Sequence, residues 1–409
     1  MLRACGLIVE YNPFHNGHLY HLQQAKKLTN ADVMIAVMSG SFLQRGEPAI
    51  IDKFHRTKAA LASGVDIVLE LPYAYAVQSS QLFAKGSVLT LNALGVSHIC
   101  FGSEAGDITD FITGHHFLKK HHNVFQDQLK SGLKQGLSYP AASKAAYDKI
   151  GLSQLNVDLS QPNNVLGFSY VNEILDRDLP IAPLTIPRLQ SQYHDTEIHG
   201  KIASATSIRY GLFANPPIDV KHAIPKTTSI QLSSYKKAAG IWHQWENYFP
   251  LIHYRVQTMM PNELAQIAGV VEGLEYRIKH AARKVTSFQE WMNAIKSKRY
   301  TWTRLQRMFT NILTNTKEFE IKKITSTDEL PYIRLLGLSN QGQTYLNSKK
   351  KQLTVPLITG YKRDMPEMLA IEERASNAYY SVLAPQNRKQ LLLQEFQGPV
   401  RIENSGETV

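Results

Sequence analysis

Short apolar runs alternate with stretches of helical periodicity through the first 105 residues, and this alternation limits the fold more than any other feature of the chain. "ACGLIVEY", "DVMIAVM", "VDIVLELP" and "VSHICFGSE" read as strands. Between them, "HLYHLQQAKKLT", "PAIIDKFHRTKAALASG" and "SQLFAKGSVLTLNALG" repeat their apolar residues at helical spacing. Two of these helices stop near a glycine, Gly64 and Gly95. Strands that are apolar almost throughout, each followed by a helix, predict a parallel sheet covered on both faces. Only about five such units fit before the pattern changes, so an open doubly wound α/β sheet is expected rather than a closed barrel.

Residues 107–160 read as mainly helical, with a basic, His-rich patch "FLKKHHNVF". "NNVLGFSYVNEILDRD" is a further helix and "LPIAPLTIPR" a fifth strand. "KIASATSIRYGLF" opens a helix with a Ser/Thr cluster, an N-terminal signature. The proline-rich "NPPIDVKHAIPK" marks a boundary, giving a catalytic unit over 1–213 and a mainly helical region over 214–409. Short strands are expected there at "FEIKKI" and "QLTVPLITG".

Charge divides the chain in the same way. Residues 201–409 hold 29 Lys/Arg against 17 Asp/Glu, while 1–200 hold 16 against 17. The whole excess lies in the second half and points to a polyanionic partner there. No apolar run approaches the ~18 residues of a membrane span. Cys5 and Cys100 are the only cysteines. They exclude a disulfide framework and a cysteine-based zinc site, so a reducing cytoplasm is the expected setting. The histidine pairs at 115–116 and 121–122 lack metal-ligand spacing, and no metal site is expected. Nothing in the sequence points to a particular oligomeric state.

"YNPFHNGHLYH" stands between strand one and helix one. In open α/β sheets, ligands bind at that end of the strands, where free N–H groups and the helix dipole favour an anion. Gly17 permits close backbone approach, Pro13 fixes the turn, and His15 and His18 supply imidazole donors. Neither GxGxxG nor a Walker-type lysine follows the strand, so the common phosphate loops do not account for the glycine. His21 reads as a surface or packing residue.

"HNGH" resembles the HxGH signature of the nucleotidylyltransferase superfamily, and "ASATSIR" (203–209) resembles its second, ISSTxxR-like signature. A Rossmann-like sheet is what this resemblance implies. A closer likeness, to the bacterial tRNA(Met) cytidine acetate ligase family, runs over most of the chain. It is carried by "GLIVEYNPFHNGHLYHLQQAKK", "MSGSFLQRGEPAIIDKFHRTKAAL", "CFGSEAGD", "QPNNVLGFSYV" and "KIASATSIR". It implies activation of acetate with ATP, accompanied by Mg2+, to acetyl-adenylate. It further implies acetyl transfer to the exocyclic amine of the wobble cytidine of elongator tRNA(Met). His15, His18, Thr206 and Arg209 then hold charge on the reacting phosphates, with Ser204 and Ser207 beside them. Carried over by position, the nucleotide site takes in Leu7, Ile8, Val9, Glu10, Tyr11, Asn12, Pro13, Phe14, His15, Asn16, Gly17, His18, Leu19 and Tyr20. Gly102, Asn163, Arg188 and Ser204 complete it. For Asn163 and Ser204 a plain helix N-cap is the alternative.

Gln44, Arg45, Glu47, Asp52 and Lys53 crowd the loop and helix start after strand two. They read either as a flap over acetate or cytosine, or as ordinary solvated charges. In the second half, Arg283, Lys284, Lys296, Lys298, Arg299, Arg304 and Arg307 are candidates to track RNA phosphates. Tyr300 and Trp302 among them read as helix core or as stacking platforms. Two other functions stay open. One is a nucleotidylyltransferase that adenylates a small metabolite, which needs no basic half. The other is a non-catalytic RNA-binding protein, against which the intact His15, Gly17, His18, Thr206 and Arg209 speak.

Overall fold

The computed structural model describes residues 2–188, 202–362 and 369–402. The five apolar runs are parallel strands: β1 (Ala4–Val9), β2 (Val33–Ser39), β3 (Ile67–Leu71), β4 (His98–Ser103) and β5 (Ala182–Pro187). They lie in the order β5-β4-β1-β2-β3. The chain builds outward from β1 on one side and returns to its other side at β4. The order therefore reverses between β1 and β4, and the crevice at their carboxyl ends is where an open α/β sheet admits a ligand.

Successive strand residues point to opposite faces. In β2, Val33, Ile35 and Val37 join one core with Phe83, Val88 and Leu91 of the helix Ser80–Ala93. Met34, Ala36 and Met38 join the other, with Leu22 and Ala25 of the helix Asn16–Thr29 and Phe54 and Ala60 of the helix Lys53–Leu61. Both faces being covered explains the unbroken apolar runs.

The second half adds to this sheet. β6 (Ile333–Ser339) pairs antiparallel with β3, Val68 facing Gly337 and Leu69 facing Leu335 across an irregularity. β7 (Leu357–Ile358) and β8 (Val400–Ile402) both pair in parallel with β6. "QLTVPLITG" does contain a strand, β7. "FEIKKI" does not: it lies in the helix Glu318–Thr325, which buries Ile321 and Ile324 three residues apart and exposes Phe319. β6 itself was not expected. Gly337 lets the helix Lys53–Leu61 cross β6 closely, since a Cβ there would meet Thr57 Cγ2 at 2.6 Å. The rest of the second half is mainly helical. No described helix is long and apolar enough to cross a membrane.

Candidate active site

After β1 the chain turns sharply. Tyr11 occupies the left-handed region (φ 49°), unusual for a bulky residue. Its buried ring packs edge-on against Phe14 and His18, with centroids 4.6 and 5.0 Å apart. The helix Asn16–Thr29 then starts with a reciprocal cap made of two imidazoles. His15 Nδ1 accepts from Gly17 N–H at 3.0 Å, and His18 Nδ1 accepts from His15 N–H at 3.2 Å. Ser and Glu usually fill these roles. Because each Nδ1 is an acceptor, the hydrogen bonds assign the ring proton of both histidines to Nε2. The rings stack at 3.7 Å. Burial, then the nearby Arg188 and Arg209, push His15 down to about 3. Burial, then His15 and Arg188, hold His18 well below the ordinary histidine range. The result is two neutral rings at a helix N-terminus, each with an Nε2–H donor that has no partner among the described residues. Gly17 serves this cap directly: a Cβ there would stand 2.9 Å from His15 Cε1. His21 is half-buried and its Nε2 has no partner among the described residues; burial pushes it down to about 4.

The "SATSIR" segment forms the start of the helix Ala205–Phe213. Ser204 is its N-cap, accepting from Ser207 N–H at 3.0 Å, and the buried Ser207 hydroxyl returns a bond to Ser204 O. Thr206 is exposed, its hydroxyl without a partner among the described residues. Arg209 clips this helix to the β1 turn: Nη1 donates to Asn12 O at 2.9 Å, and Nη2 lies 3.4 Å from Glu47 Oε2. Lys201, which precedes the segment, lies outside the described residues.

On the other side of the crevice, Gly102 lies in β4 and Arg188 directly follows β5. A Cβ at Gly102 would only touch Arg188 Cγ, at 3.5 Å. Arg188 Nη1 donates to Asn163 Oδ1 at 3.4 Å, and Asn163 Nδ2 donates to Glu104 Oε1 at 2.6 Å. Gln161, not Asn163, holds the N-cap position of the helix Pro162–Asp176. Asn163 is thus free of the capping role considered for it. Glu104 and Asn164 complete the arrangement and were not singled out from sequence. Glu104 Oε2 accepts from Asn164 N–H, while the buried Asn164 Oδ1 accepts from the N–H groups of Glu104 and Ala105.

Arg56 was also missed. Fully buried, it donates to the carbonyls of Glu10, Ser39, Gly40 and Ile51, tying the ends of β1 and β2 together behind the site. Only the fold brings these carbonyls to it, so no local pattern could mark it. The loop after β2 is woven into the same region. Gln44 N–H donates to Glu10 Oε1 at 2.7 Å, and burial pushes the Glu10 carboxyl up. Arg45 is half-buried near Glu10. Asp52 and Lys53 are neither flap nor solvated surface. Asp52 caps the helix Lys53–Leu61 through His55 N–H, and Lys53 is buried between Glu70 and Glu395 at 2.8 and 3.0 Å.

Of the basic residues in the second half, Arg283, Lys284, Lys296, Lys298 and Arg299 are exposed, Arg299 pairing with Glu272. Arg304 is half-buried over the Tyr300 ring at 4.9 Å. Arg307 turns inward, donating to the carbonyls of Gln44 and Gln78 at 3.4 and 3.1 Å. Burial and Arg304 push it down to about 10. Tyr300, in the bend before the helix Trp302–Thr314, is buried and bonded to Glu272, and Trp302 at the helix start packs against the core.

The site therefore has two neutral imidazole donors, a helix N-terminus opposite them and two arginines, all at the crevice where the strand order reverses. Known proteins resemble this chain over nearly its whole length. The family described as HIGH Nucleotidyl Transferase matches residues 2–395. The tRNA(Met) cytidine acetate ligase of Oceanobacillus iheyensis is 54% identical, covering 98% of this chain and 100% of the relative. The Bacillus subtilis protein of the same name is 46% identical, covering 98% of both. A crystal structure of Thermotoga maritima TmcAL bound with alpha-thio ATP superposes with a TM-score of 0.88 at 31% identity, covering 98% of this chain and 100% of that one. With near-complete coverage at such identities, the chain belongs to the tRNA(Met) cytidine acetate ligase family.

Proposed function

We propose that this protein activates acetate with ATP and transfers the acetyl group to the exocyclic amine of the wobble cytidine of elongator tRNA(Met). The observation that carries the mechanism is the His15–His18 cap. With both Nδ1 atoms used in the cap, two neutral Nε2–H donors remain at a helix N-terminus, where an anion is favoured. In the first step an acetate oxygen bonds to the α-phosphorus and the bond to pyrophosphate breaks. Charge builds on the leaving phosphates, and His15, His18, Thr206 and Arg209 meet it, with Ser204 holding the helix start. Neutral donors suit this task, since they stabilise the developing charge without first giving up a proton. Positioning dominates such a step. Arg188, Asn163 and Gly102 hold the nucleoside side. In the second step the cytidine nitrogen bonds to the acetyl carbon, AMP leaves with the carboxyl oxygen, and the nitrogen loses one proton.

Magnesium would come with ATP, held mainly by its phosphates. Among the described residues no group of three His, Cys, Asp or Glu side chains is placed to hold a metal. The division near residue 213 is one of role, adenylation before it and RNA after it. The exposed Arg283, Lys284, Lys296, Lys298 and Arg299 meet phosphates, whereas Arg307 holds the loop after β2. Cys5 and Cys100, both free and buried, fit a cytoplasmic setting.

The test supplies labelled acetate, ATP and bulk tRNA, then digests the RNA to nucleosides. Label in N4-acetylcytidine is expected. ATP cleavage without labelled RNA would instead mark a small-metabolite adenylyltransferase, and no turnover would mark a binding protein.

A further inference from the structure

Next to the phosphate site lies a cavity of about 510 Å³ that no step above uses. It opens between the end of the helix Ala205–Phe213 and the helix Lys226–Ala239. Leu212 and Leu232 give it an apolar floor. Lys221, Lys236, Lys237 and Trp242 stand around it, with Lys236 Nζ 5.3 Å from the centre of the Trp242 ring. All three lysines are exposed, and none forms an ion pair among the described residues. Asp219 is the one carboxylate of the lining, and its Oδ1 already accepts from Lys221 N–H at 3.0 Å. The cavity is tied to the active site at two points. Leu212 lies one turn beyond Arg209, and Asn16 Nδ2 donates to His222 O at 2.9 Å, beside Lys221.

We propose that this cavity seats an unpaired nucleotide of the RNA substrate, its base on the apolar floor and Trp242 wall and its phosphates on the three lysines. Size, shape and charge agree: small-ligand pockets run from roughly 300 to 1,000 Å³, and single-stranded RNA is held by flat apolar or aromatic surface flanked by cations. An uncharged metabolite would leave the lysines unanswered, and an acidic protein surface would leave the apolar floor and Trp242 unused. The location also matters. A base extruded from a loop reaches the adenylate only if a neighbouring nucleotide is anchored close by. This inference rests on the reading of the chain as an RNA-acetylating ligase.

Two variants of the full chain test it. Ser233→Trp fills the cavity from an exposed lining position without changing charge. The double variant Lys221→Gln/Lys237→Gln removes two cations and leaves the cavity open. Each is expected to raise KM for tRNA about tenfold in the acetylation assay. The double variant should also flatten the dependence of log affinity on log salt by about 1.4, at ~0.7 per lost single-strand phosphate contact. Acetate-dependent exchange of pyrophosphate into ATP, which needs no RNA, should run at the wild-type rate in both, with unchanged melting temperatures. A wild-type KM in Ser233→Trp would overturn the proposal, because the lysines would then act only as a charged surface. Loss of the RNA-free exchange would overturn it too, marking a small-molecule pocket. Failure of the wild-type protein itself to acetylate tRNA would strike the functional reading, not the cavity alone.

Discussion

His15 has two roles that one substitution can separate. Its Nδ1 caps a helix, and in the mechanism proposed above its Nε2–H meets the charge on the phosphates. Asparagine caps helices well, and its carboxamide oxygen can accept from Gly17 N–H, but it places no donor where Nε2 stands. His15→Asn is therefore expected to keep stability within about 0.5 kcal/mol of wild type, while His15→Ala loses about 1 kcal/mol with the cap. Both should slow adenylate formation by about 10²–10³-fold, the usual cost of a lost charge-stabilising donor. Denaturant titration and pyrophosphate exchange measure the two effects, and an active Asn variant would show that the Nε2 donor does not matter. The histidines were legible in sequence because the motif is local and its place after a strand gives it meaning. Asn164, Glu104 and Arg56 were not. They act through backbone groups that are distant in sequence, such as the Ser39 carbonyl reached by Arg56. For Gly17 the sequence suggested approach to a ligand, and the structure adds that the glycine makes room for the His15 ring.

At the scale of elements, the loop after β2 meets the helix Trp302–Thr314 through backbone contact. Gly46 has φ +79°, and a Cβ on it would come within 2.4 Å of Arg307 N and 2.6 Å of Gln306 C. Thr310 Oγ1 donates to Gly46 O at 2.8 Å. Backbone cannot yield as a side-chain tip does. Gly46→Ala should cost about 2–4 kcal/mol, roughly 1 from the left-handed conformation and 1–3 from overpacking. A fall in the urea midpoint at unchanged slope would register it; a change under about 1 kcal/mol would mean that the loop moves away freely. This contact explains what happened to Arg307, whose basic, helical context reads as surface. Sequence periodicity does not say which face of a helix another loop covers. The same gap hid β6. "YIRLLGLS" is apolar, short and surrounded by helices, and a buried strand and a buried helical turn look alike at that length. The first five strands were legible because each is followed by its own helix.

Over the whole molecule, buried charge binds the halves together. Lys53 and Arg334 interlock with Glu70 and Glu395 across β3, β6 and the C-terminal segments. Burial opposes ionisation of Glu395, but Lys53 and Arg334 outweigh it and hold the carboxyl low. Glu372 lies beside them with no ion-pair partner among the described residues. Its Oε1 accepts from Tyr73 N–H and Tyr332 O–H, and burial, then the charge of Glu70, pushes it up to about 7. These groups set the pH dependence of stability, with signs fixed by linkage. From about pH 4.5 to 7 the fold keeps a proton on Glu372 that the unfolded chain releases, so this group lowers stability as pH rises through that window. The histidines act oppositely. His15, His21 and His243 are pushed down to about 3, 4 and 3, all chiefly by burial, and His18 is lowered too. Below about pH 6.5 the unfolded chain takes up protons that these rings refuse, and each contributes a loss of at most about 1.4 kcal/mol per pH unit. Four histidines outweigh one glutamate throughout this range, so stability should rise steeply from about pH 4.5 toward about pH 6.5 and level off by about pH 7.5. Glu372→Gln should remove the opposing contribution and steepen the rise between about pH 4.5 and 7. Melting temperatures across this range decide the matter. A flat acid limb would mean that the histidines are protonated in the fold, and the neutral donors at the active site would be lost with it.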